Sequence, residues 1–458
     1  MPKLPKTNPR AVALKTLLIW EKHKAPVDEL ISEVLTKSVL PQERDRALAT
    51  ELVIGVIRHL RYLDFLISRF STEPLDKIDL EVKNVLRLGV YQLLFTRIPP
   101  WAAVAETLKL LLRRGRGKFV RDFVNAVLNR IAESKDNLPE PPKEVPELYL
   151  AVKYSYPDWL VRRWIKRFGI EETERLLEAG NEKPPLIIRL NQLKATRDHL
   201  LEYLRKDQVP LAEPCKYSKA GIILTGFNGK ITDLKPYHFG WITVQDSASQ
   251  LVAYLLDPKP GERILDACAG VGGKTTHIAE LCQERAEIWA IDLYPFRLKR
   301  LEENFVRLGL KLPKILEGDA VELLERLKPA PFDRIMIDAP CTGTGIIRRH
   351  PDIKWLRTEK DFLEVPSRQL RLLKGLAPHL KRGGVLVYAT CSLEPEENEQ
   401  VIEAFLKEHP EFELENPEKV LRKHCGDIVS EIIEGFYLKT YPHRQNLDGF
   451  TAIRLRKV

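Results

Sequence analysis

Two cysteines end apolar runs that lie fifty residues apart. The first run, DRIMIDAPCTGTG (333–345), reaches Cys341 after Asp-Ala-Pro. The second opens YATCSLEPEENE (388–399) and reaches Cys391 just before a group of carboxylates. A thiol at the end of a buried strand can form a disulfide, ligate a metal, attack an electrophile, or pack as a small hydrophobe. The six cysteines (215, 268, 282, 341, 391 and 425) are too few and too scattered in 458 residues for a disulfide scaffold. None pair as CxxC and none stand at zinc-ligand spacing with a histidine, so no metal is expected. Nucleophile and packing remain. The acids after Cys391 (Glu394, Glu396, Glu397 and Glu399) would raise the pKa of a neighbouring thiol. They are expected to face elsewhere, in the first turn of a helix that carries Pro395.

A second cluster is built for binding. The stretch DACAGVGGKTT (266–276) places Cys268, Ala269, Gly270, Val271, Gly272, Gly273 and Lys274 where a strand turns into a helix. Glycines there let the backbone approach a ligand closely. A P-loop would need glycine where Cys268 stands, and the dinucleotide fingerprint would need one at Thr275. Asp292 ends the next strand, 22 residues beyond Gly270, as suits a ribose diol. Asp319 follows a third strand, placed for an adenine amino group, and Asp338 ends a fourth. A glycine turn followed by acids and no phosphate-binding motif suits a nucleoside without phosphates, and S-adenosylmethionine is one. The bland alternative is that these acids only cap helices.

The elements that must hold these residues follow from periodicity. Residues 7–133 read as successive amphipathic helices, opened by an Asn8 cap and Pro9. Arg113, Arg114, Arg116 and Lys118 belong to a segment, 111–130, with six Lys/Arg against one acid, and could face phosphates. Residues 135–147 hold four prolines and read as a linker. A small α+β segment follows, with a basic aromatic helix at 156–169 and strands around 221–226 and 241–251. Trp159 and Trp164 are assigned to its core, and Arg162, Arg163, Lys166 and Arg167 to a possible RNA path. From about residue 255, strands alternate with helices, which predicts a doubly wound parallel sheet whose ligands bind beyond the carboxyl strand ends. The formal charge of +9 permits a polyanionic partner. The first residues lack a secretory h-region and no apolar run is long enough to span a bilayer, so a cytoplasmic protein is expected.

AGVGGKTTH, DAPCTGTG with IIRRHPDIKW, and YATCSLEPEENE resemble motifs of the RNA cytosine-C5 methyltransferases, specifically the bacterial small-subunit ribosomal RNA enzymes of the Sun/Fmu (RsmB) type. RDRALATELVIGVIR, LRLGVYQLLF, RIPPWAAVAET and FVNAVLNRI resemble that family's NusB-like helical RNA-binding domain, and YPDWLVRRW, IIRLNQLK and WITVQDSASQL its intermediate domain. The resemblance implies three domains with a linker: an all-α NusB-like domain (1–135), a Pro-rich linker (136–150), a small α+β domain (151–240), and a Rossmann-like class I S-adenosylmethionine-dependent methyltransferase domain (241–458). It implies Cys391 as nucleophile at C6 of a cytosine, Cys341 for product release, and Asp338 to polarise the base. The target implied is cytosine 967 of 16S rRNA. Arg348, Arg349, His350 and Lys354 suit phosphate contacts near the target base, and a monomer is expected. The family commonly has proline at Val271; valine loosens the turn but removes no ligand. Other readings are a different rRNA or tRNA target, an N-methyltransferase, or a non-catalytic RNA-binding factor.

Overall fold

Asn8 accepts hydrogen bonds from the backbone N–H groups of Arg10 and Ala11, and Pro9 lies in the first turn, so the first helix begins where its cap predicts. The computed structural model describes residues 8–458, except 114, 115, 208, 210, 228 and the side chain of 113. It comprises two units, residues 1–182 with 347–357, and residues 183–346 with 358–458.

The first unit is helical. Its N-terminal helices run Pro9–His23, Val27–Thr36, Glu43–Arg58, Leu60–Phe70, Leu80–Phe95, Pro100–Arg113 and Lys118–Glu133. The helix Leu80–Phe95 is buried on most sides, including its polar Asn84, Arg87 and Gln92. Such a helix needs paired polar groups. Arg87 accordingly donates to both oxygens of Asp64 at 2.7 Å and to Glu21 at 2.6 Å. At Gly55 the Tyr91 ring occupies the space a Cβ would need, so the close approach of two helices requires glycine there.

Three more helices follow the N-terminal seven. The helices Pro146–Lys153, Asp158–Phe168 and Ile170–Ala179 pack in the helical unit. Arg61 explains why: its backbone N–H bonds Ser155 Oγ at 2.8 Å and its guanidinium bonds the Tyr156 carbonyl at 2.9 Å. Tyr156 and Trp164 are fully buried beside each other, as expected for Trp164. Pro141, within the supposed linker, is buried as well.

The second unit holds two sheets. The smaller contains β1 (Ile187–Leu190), β2 (Leu211–Pro214), β3 (Gly221–Thr225) and β4 (Ile242–Val244) in the order β2-β3-β1-β4, all antiparallel. The sequence extended the last of these to 251. Instead Asp246 caps a helix, Ser247–Leu256, by accepting from the Ala248 N–H at 2.9 Å.

The larger sheet has β5 (Arg263–Asp266), β6 (Glu287–Asp292), β7 (Lys314–Glu317), β8 (Phe332–Asp338) and β9 (Leu380–Thr390) parallel, in the order β7-β6-β5-β8-β9. The central residues of β5, β6, β8 and β9 are buried on both faces, which is why the sequence there reads as near-continuous apolar runs. The strand order reverses between β5 and β8, which opens a crevice beyond their carboxyl ends. Beyond β9 the sheet becomes antiparallel. Strand β13 (Phe450–Lys457) pairs with β9 and also with β12 (Tyr437–Thr440) and β10 (Phe412–Leu414), and β11 (Ile433–Glu434) ends that edge. The sheet is thus mixed rather than wholly parallel.

Candidate active site

The register of β8 and β9 brings the two thiols together. Asp338 stands opposite Ala389, so Cys341 lies three residues and Cys391 two residues beyond a common level. The Ala339 N–H bonds the Ala389 carbonyl at 2.8 Å, and the Gly345 N–H bonds that of Cys391 at 2.9 Å. The loop after Cys341 also presses on the C-terminal strand region, where a Cβ on Gly345 would strike the Gly449 carbonyl. The Cys341 and Cys391 sulfurs end 3.1 Å apart, both half-buried and both free thiols. At that distance one sulfur donates its proton to the other. The bond to Cys391, burial, and the charges of Cys391, Glu397 and Asp338 all push the Cys341 thiol well above its ordinary pKa.

Lys274 completes this end of the crevice. Its ammonium donates to Asp338 at 2.7 Å and lies over the Phe450 ring at 5.1 Å. Burial lowers its pKa, but the Asp338 and Cys391 charges outweigh it and the net direction is upward. A permanent cation therefore pairs with the Asp338 carboxylate and interacts with the charge on Cys391.

The glycine turn is shaped from outside. Gly270 (φ 55°) and Gly272 (φ 83°) adopt left-handed conformations that a side chain would strain. Nothing lies within 4 Å of a Cβ built on Gly270, so its backbone borders open space. Asp292 accepts from the Gly270 N–H at 2.8 Å and from the Tyr294 N–H at 3.0 Å. Asn304 donates to the Val271 carbonyl at 3.0 Å, and Arg189 on β1 donates to that of Gly273 at 2.6 Å. Asn304 lies in none of the quoted motifs and Arg189 lies in IIRLNQLK, which assigns it no role at a site, so only their contacts identify them. Asp319 caps the helix Ala320–Leu327 and pairs with Arg371 at 2.7 Å, the capping role an acid there can have without any ligand. Its carboxylate keeps further acceptor capacity.

Four carboxylates, Asp266, Asp292, Asp319 and Asp338, surround Cys268 and, with burial as the largest cause, raise its pKa well above normal. Asp266 is fully buried, its pKa raised to about 7 chiefly by burial, and its Oδ1 has no hydrogen-bond partner. An acid-lined crevice with an unused carboxylate oxygen and an open glycine turn fits a ligand that bears cationic groups and a ribose.

The acids after Cys391 do not behave as expected. Glu394 and Glu397 are fully buried, and the helix they were assigned to begins only at Glu399. Glu397 turns inward and accepts from both thiol-bearing loops. Thr342 N–H and Thr342 Oγ1 donate from one side, Ser392 Oγ from the other.

The segment 347–357 also departs from expectation. Arg348 and Lys354 are 2% and 1% exposed, not presented to a phosphate. Within the helical unit Lys354 donates to the Arg58 carbonyl at 2.7 Å and to Asn181 Oδ1 at 3.0 Å. Trp355 Nε1 bonds the Ile57 carbonyl at 2.8 Å, Arg58 bonds the Arg348 carbonyl at 2.8 Å, and Asp352 receives the Val27 N–H at 2.9 Å. His350, partly exposed, pairs with Asp28 at 2.8 Å, and Arg349 is half-buried. A tryptophan, a proline and a paired acid among these cations make the stretch a docking segment. In the other basic segment, Arg116 bonds Asp79 at 2.9 Å and Lys118 is exposed. Arg114 and the Arg113 side chain lie outside the described residues. Among the described residues no helix is long and apolar enough to cross a membrane, and no cluster of His, Cys, Asp or Glu could hold a metal ion.

Comparison with known proteins bears on this geometry. Residues 253–456 match the family model described as 16S rRNA methyltransferase RsmB/F. Residues 7–133 match the NusB family, and 156–229 match the ferredoxin-like domain of RsmF/B-like methyltransferases. The chain is 35% identical over 454 residues, 99% of each chain, to the probable ribosomal RNA small subunit methyltransferase B of Bacillus subtilis. It is 38% identical over 419 residues, 91% of each, to the ribosomal RNA small subunit methyltransferase B of Serratia proteamaculans. Among solved structures, the protein PH0851 superposes with a TM-score of 0.79 at 28% identity over the whole of both chains. NSun6 of Pyrococcus horikoshii, solved with SFG, gives 0.58 at 25% identity over 67% of this chain and 99% of that one.

Proposed function

The chain belongs to the 16S rRNA methyltransferase RsmB/F family, and from that premise we propose that it methylates C5 of a cytosine in small-subunit ribosomal RNA through a covalent cysteine adduct. The observation that carries the reading is the pair of free thiols 3.1 Å apart at adjacent strand ends, beside the Lys274–Asp338 pair. C5 of cytosine is a poor nucleophile until a group adds at C6, and a thiolate adds well. A methyltransferase acting at nitrogen has no use for two thiols.

The methyl donor proposed is S-adenosylmethionine, which supplies an electrophilic methyl group on a sulfonium. NSun6, the relative solved with an analogue of it, supports this choice. The backbone from Cys268 to Gly273, Asp292 and Asp319 would hold the ribose and adenine, and the surrounding acids suit the cationic groups.

Cys391 acts as nucleophile, its sulfur adding to C6 of a cytosine turned out of its stack. Lys274, which interacts with the Cys391 charge, stabilises the thiolate before attack. Asp338 receives the base's amino group and polarises it. Once C5 carries the methyl group, loss of the C5 proton and departure of the Cys391 sulfur restore the ring, and Cys341 assists that release. Lys118, with Phe119 beside it 81% exposed, is the RNA contact proposed in the helical unit.

The test is incubation with labelled S-adenosylmethionine and naked small-subunit rRNA. Product without 5-methylcytosine sinks the reading. Cys341→Ala should accumulate a covalent RNA adduct, while Cys391→Ala should form none; the opposite pattern exchanges the two roles. Mapping the modified nucleotide tests position 967.

A further inference from the structure

Glu397 is a carboxylate with no exposed surface, six residues beyond one thiol and 56 beyond the other. Its Oε1 accepts from the Thr342 N–H at 2.8 Å and from Gln369 Nε2 at 3.1 Å. Its Oε2 accepts from the hydroxyls of Thr342 and Ser392. Thr342 follows Cys341 directly and Ser392 follows Cys391. Gln369 also donates to the carbonyl of Pro340, the residue before Cys341, at 3.0 Å. The Tyr388 hydroxyl fixes the Glu397 backbone by donating to its carbonyl at 2.6 Å. One buried acid thus grips both loops.

We propose that Glu397 is the positioning residue of the thiol pair, its carboxylate clamping the Cys341 and Cys391 loops at the spacing where one proton serves both sulfurs. The inference rests on the C5-methylation reading for its purpose, but its geometry stands apart from it. A clamp made only for shape needs no charge. Burial raises the Glu397 pKa, and its donors, two hydroxyls, a backbone N–H and an amide, oppose that rise and favour the carboxylate. The charge has a use. The titratable groups facing Cys341 are Cys391, Glu397, Asp338 and Tyr388, and Lys274 pairs with Asp338 at 2.7 Å. Glu397 and Asp338 oppose ionisation of Cys341, whereas Lys274 interacts with the charge on Cys391. Cys341 therefore holds its proton and donates it toward the Cys391 sulfur. That asymmetry comes from side chains and not from the cysteines themselves.

The experiment is site-resolved alkylation with iodoacetamide, read by mass spectrometry across a pH series, together with single-turnover methylation of rRNA. In the wild-type protein Cys391 should react before Cys341. Glu397→Gln should raise the Cys341 alkylation rate about tenfold at mildly alkaline pH, and slow methylation at least about tenfold. Affinity for S-adenosylmethionine should stay within about twofold of wild type. Glu397→Asp, which keeps the charge but shortens the reach, should keep Cys341 slow to alkylate while methylation still falls. If Glu397→Gln changes neither alkylation nor rate, or if both variants lose activity equally with unchanged alkylation, the clamp is overturned. Should Glu397→Gln not fold, Ser392→Ala and Thr342→Val each remove one hydroxyl donor, and wild-type rates in both overturn it equally. A wild-type protein that shows the alkylation order yet makes no 5-methylcytosine refutes the function proposed above and leaves the clamp standing.

Discussion

Replacing Arg189 by methionine isolates the contact that supports the glycine turn. Arg189 lies on β1 with no exposed side chain and donates to Gln245, to the Gly273 carbonyl at 2.6 Å, to Thr276 Oγ1 at 2.9 Å and to Glu280 Oε1 at 2.8 Å. Glu280 is 4% exposed on its side chain, so Arg189→Met strands a buried carboxylate and frees the Gly273 carbonyl. Breaking a buried pair from one side costs about 3–5 kcal/mol. At 1.4 kcal/mol per factor of ten, even the lower bound accelerates amide exchange on the order of 100-fold in the helix Gly273–Leu281, as read by hydrogen–deuterium exchange. Burial raises the Glu280 pKa and Arg189 opposes that rise. Without Arg189 the acid is held further toward its protonated form, so the defect deepens as pH rises. The double variant Arg189→Met/Glu280→Leu, which leaves no unpaired charge, should recover most of the protection. Exchange within about threefold of wild type in the single variant, or no recovery in the double, refutes the reasoning.

Two further predictions follow from buried titratable groups. The Asp266 pKa is raised from 3.8 to about 7, mainly by burial, so the folded state holds a proton that the unfolded chain has released. The stability this contributes is complete below about pH 4 and is lost as pH rises to about 7, for a span of about 4 kcal/mol. Asp266→Asn should flatten the thermal stability profile across that window, and a slope equal to wild type would contradict the assignment. Lys354 is buried and hydrogen-bonded inside the helical unit, its pKa driven well down by burial and by the Arg58 charge. Lys354→Met should therefore leave the slope of log affinity against log salt for rRNA unchanged, whereas Lys118→Ala should reduce it by about one. A reduced slope in the lysine-to-methionine variant would mean that Lys354 reaches the phosphates after all.

What the sequence revealed and concealed follows from the range of the interactions involved. Helix Pro9–His23 and strands β5 to β9 were legible because cap, period and buried runs are local signals. The meeting of Cys341 and Cys391 was half legible. Two strands ending in thiols can be read, but their 3.1 Å separation depends on the β8–β9 register and on Gly345 lying against Gly449. The antiparallel edge was missed because β13 pairs with β9 across sixty intervening residues, and nothing in FTAIRLRK names its partner. Charge misled most. Arg348, Lys354 and Glu397 were assigned to solvent or to phosphate by residue type, yet all three are buried. A buried charge is tolerated when enough polar groups converge on it, and convergence is a property of the fold that no window of sequence contains. A local hint did exist for Glu397. Of the acids after Cys391, it is the one set among threonine and serine hydroxyls once β8 is laid beside β9, because Thr342 and Ser392 occupy equivalent places after their cysteines. Pairing the two motifs residue by residue, Cys-Thr against Cys-Ser, sets two hydroxyls side by side, 3.3 Å apart. Both have a proton to donate, and the nearby run of glutamates supplies the acceptor, Glu397.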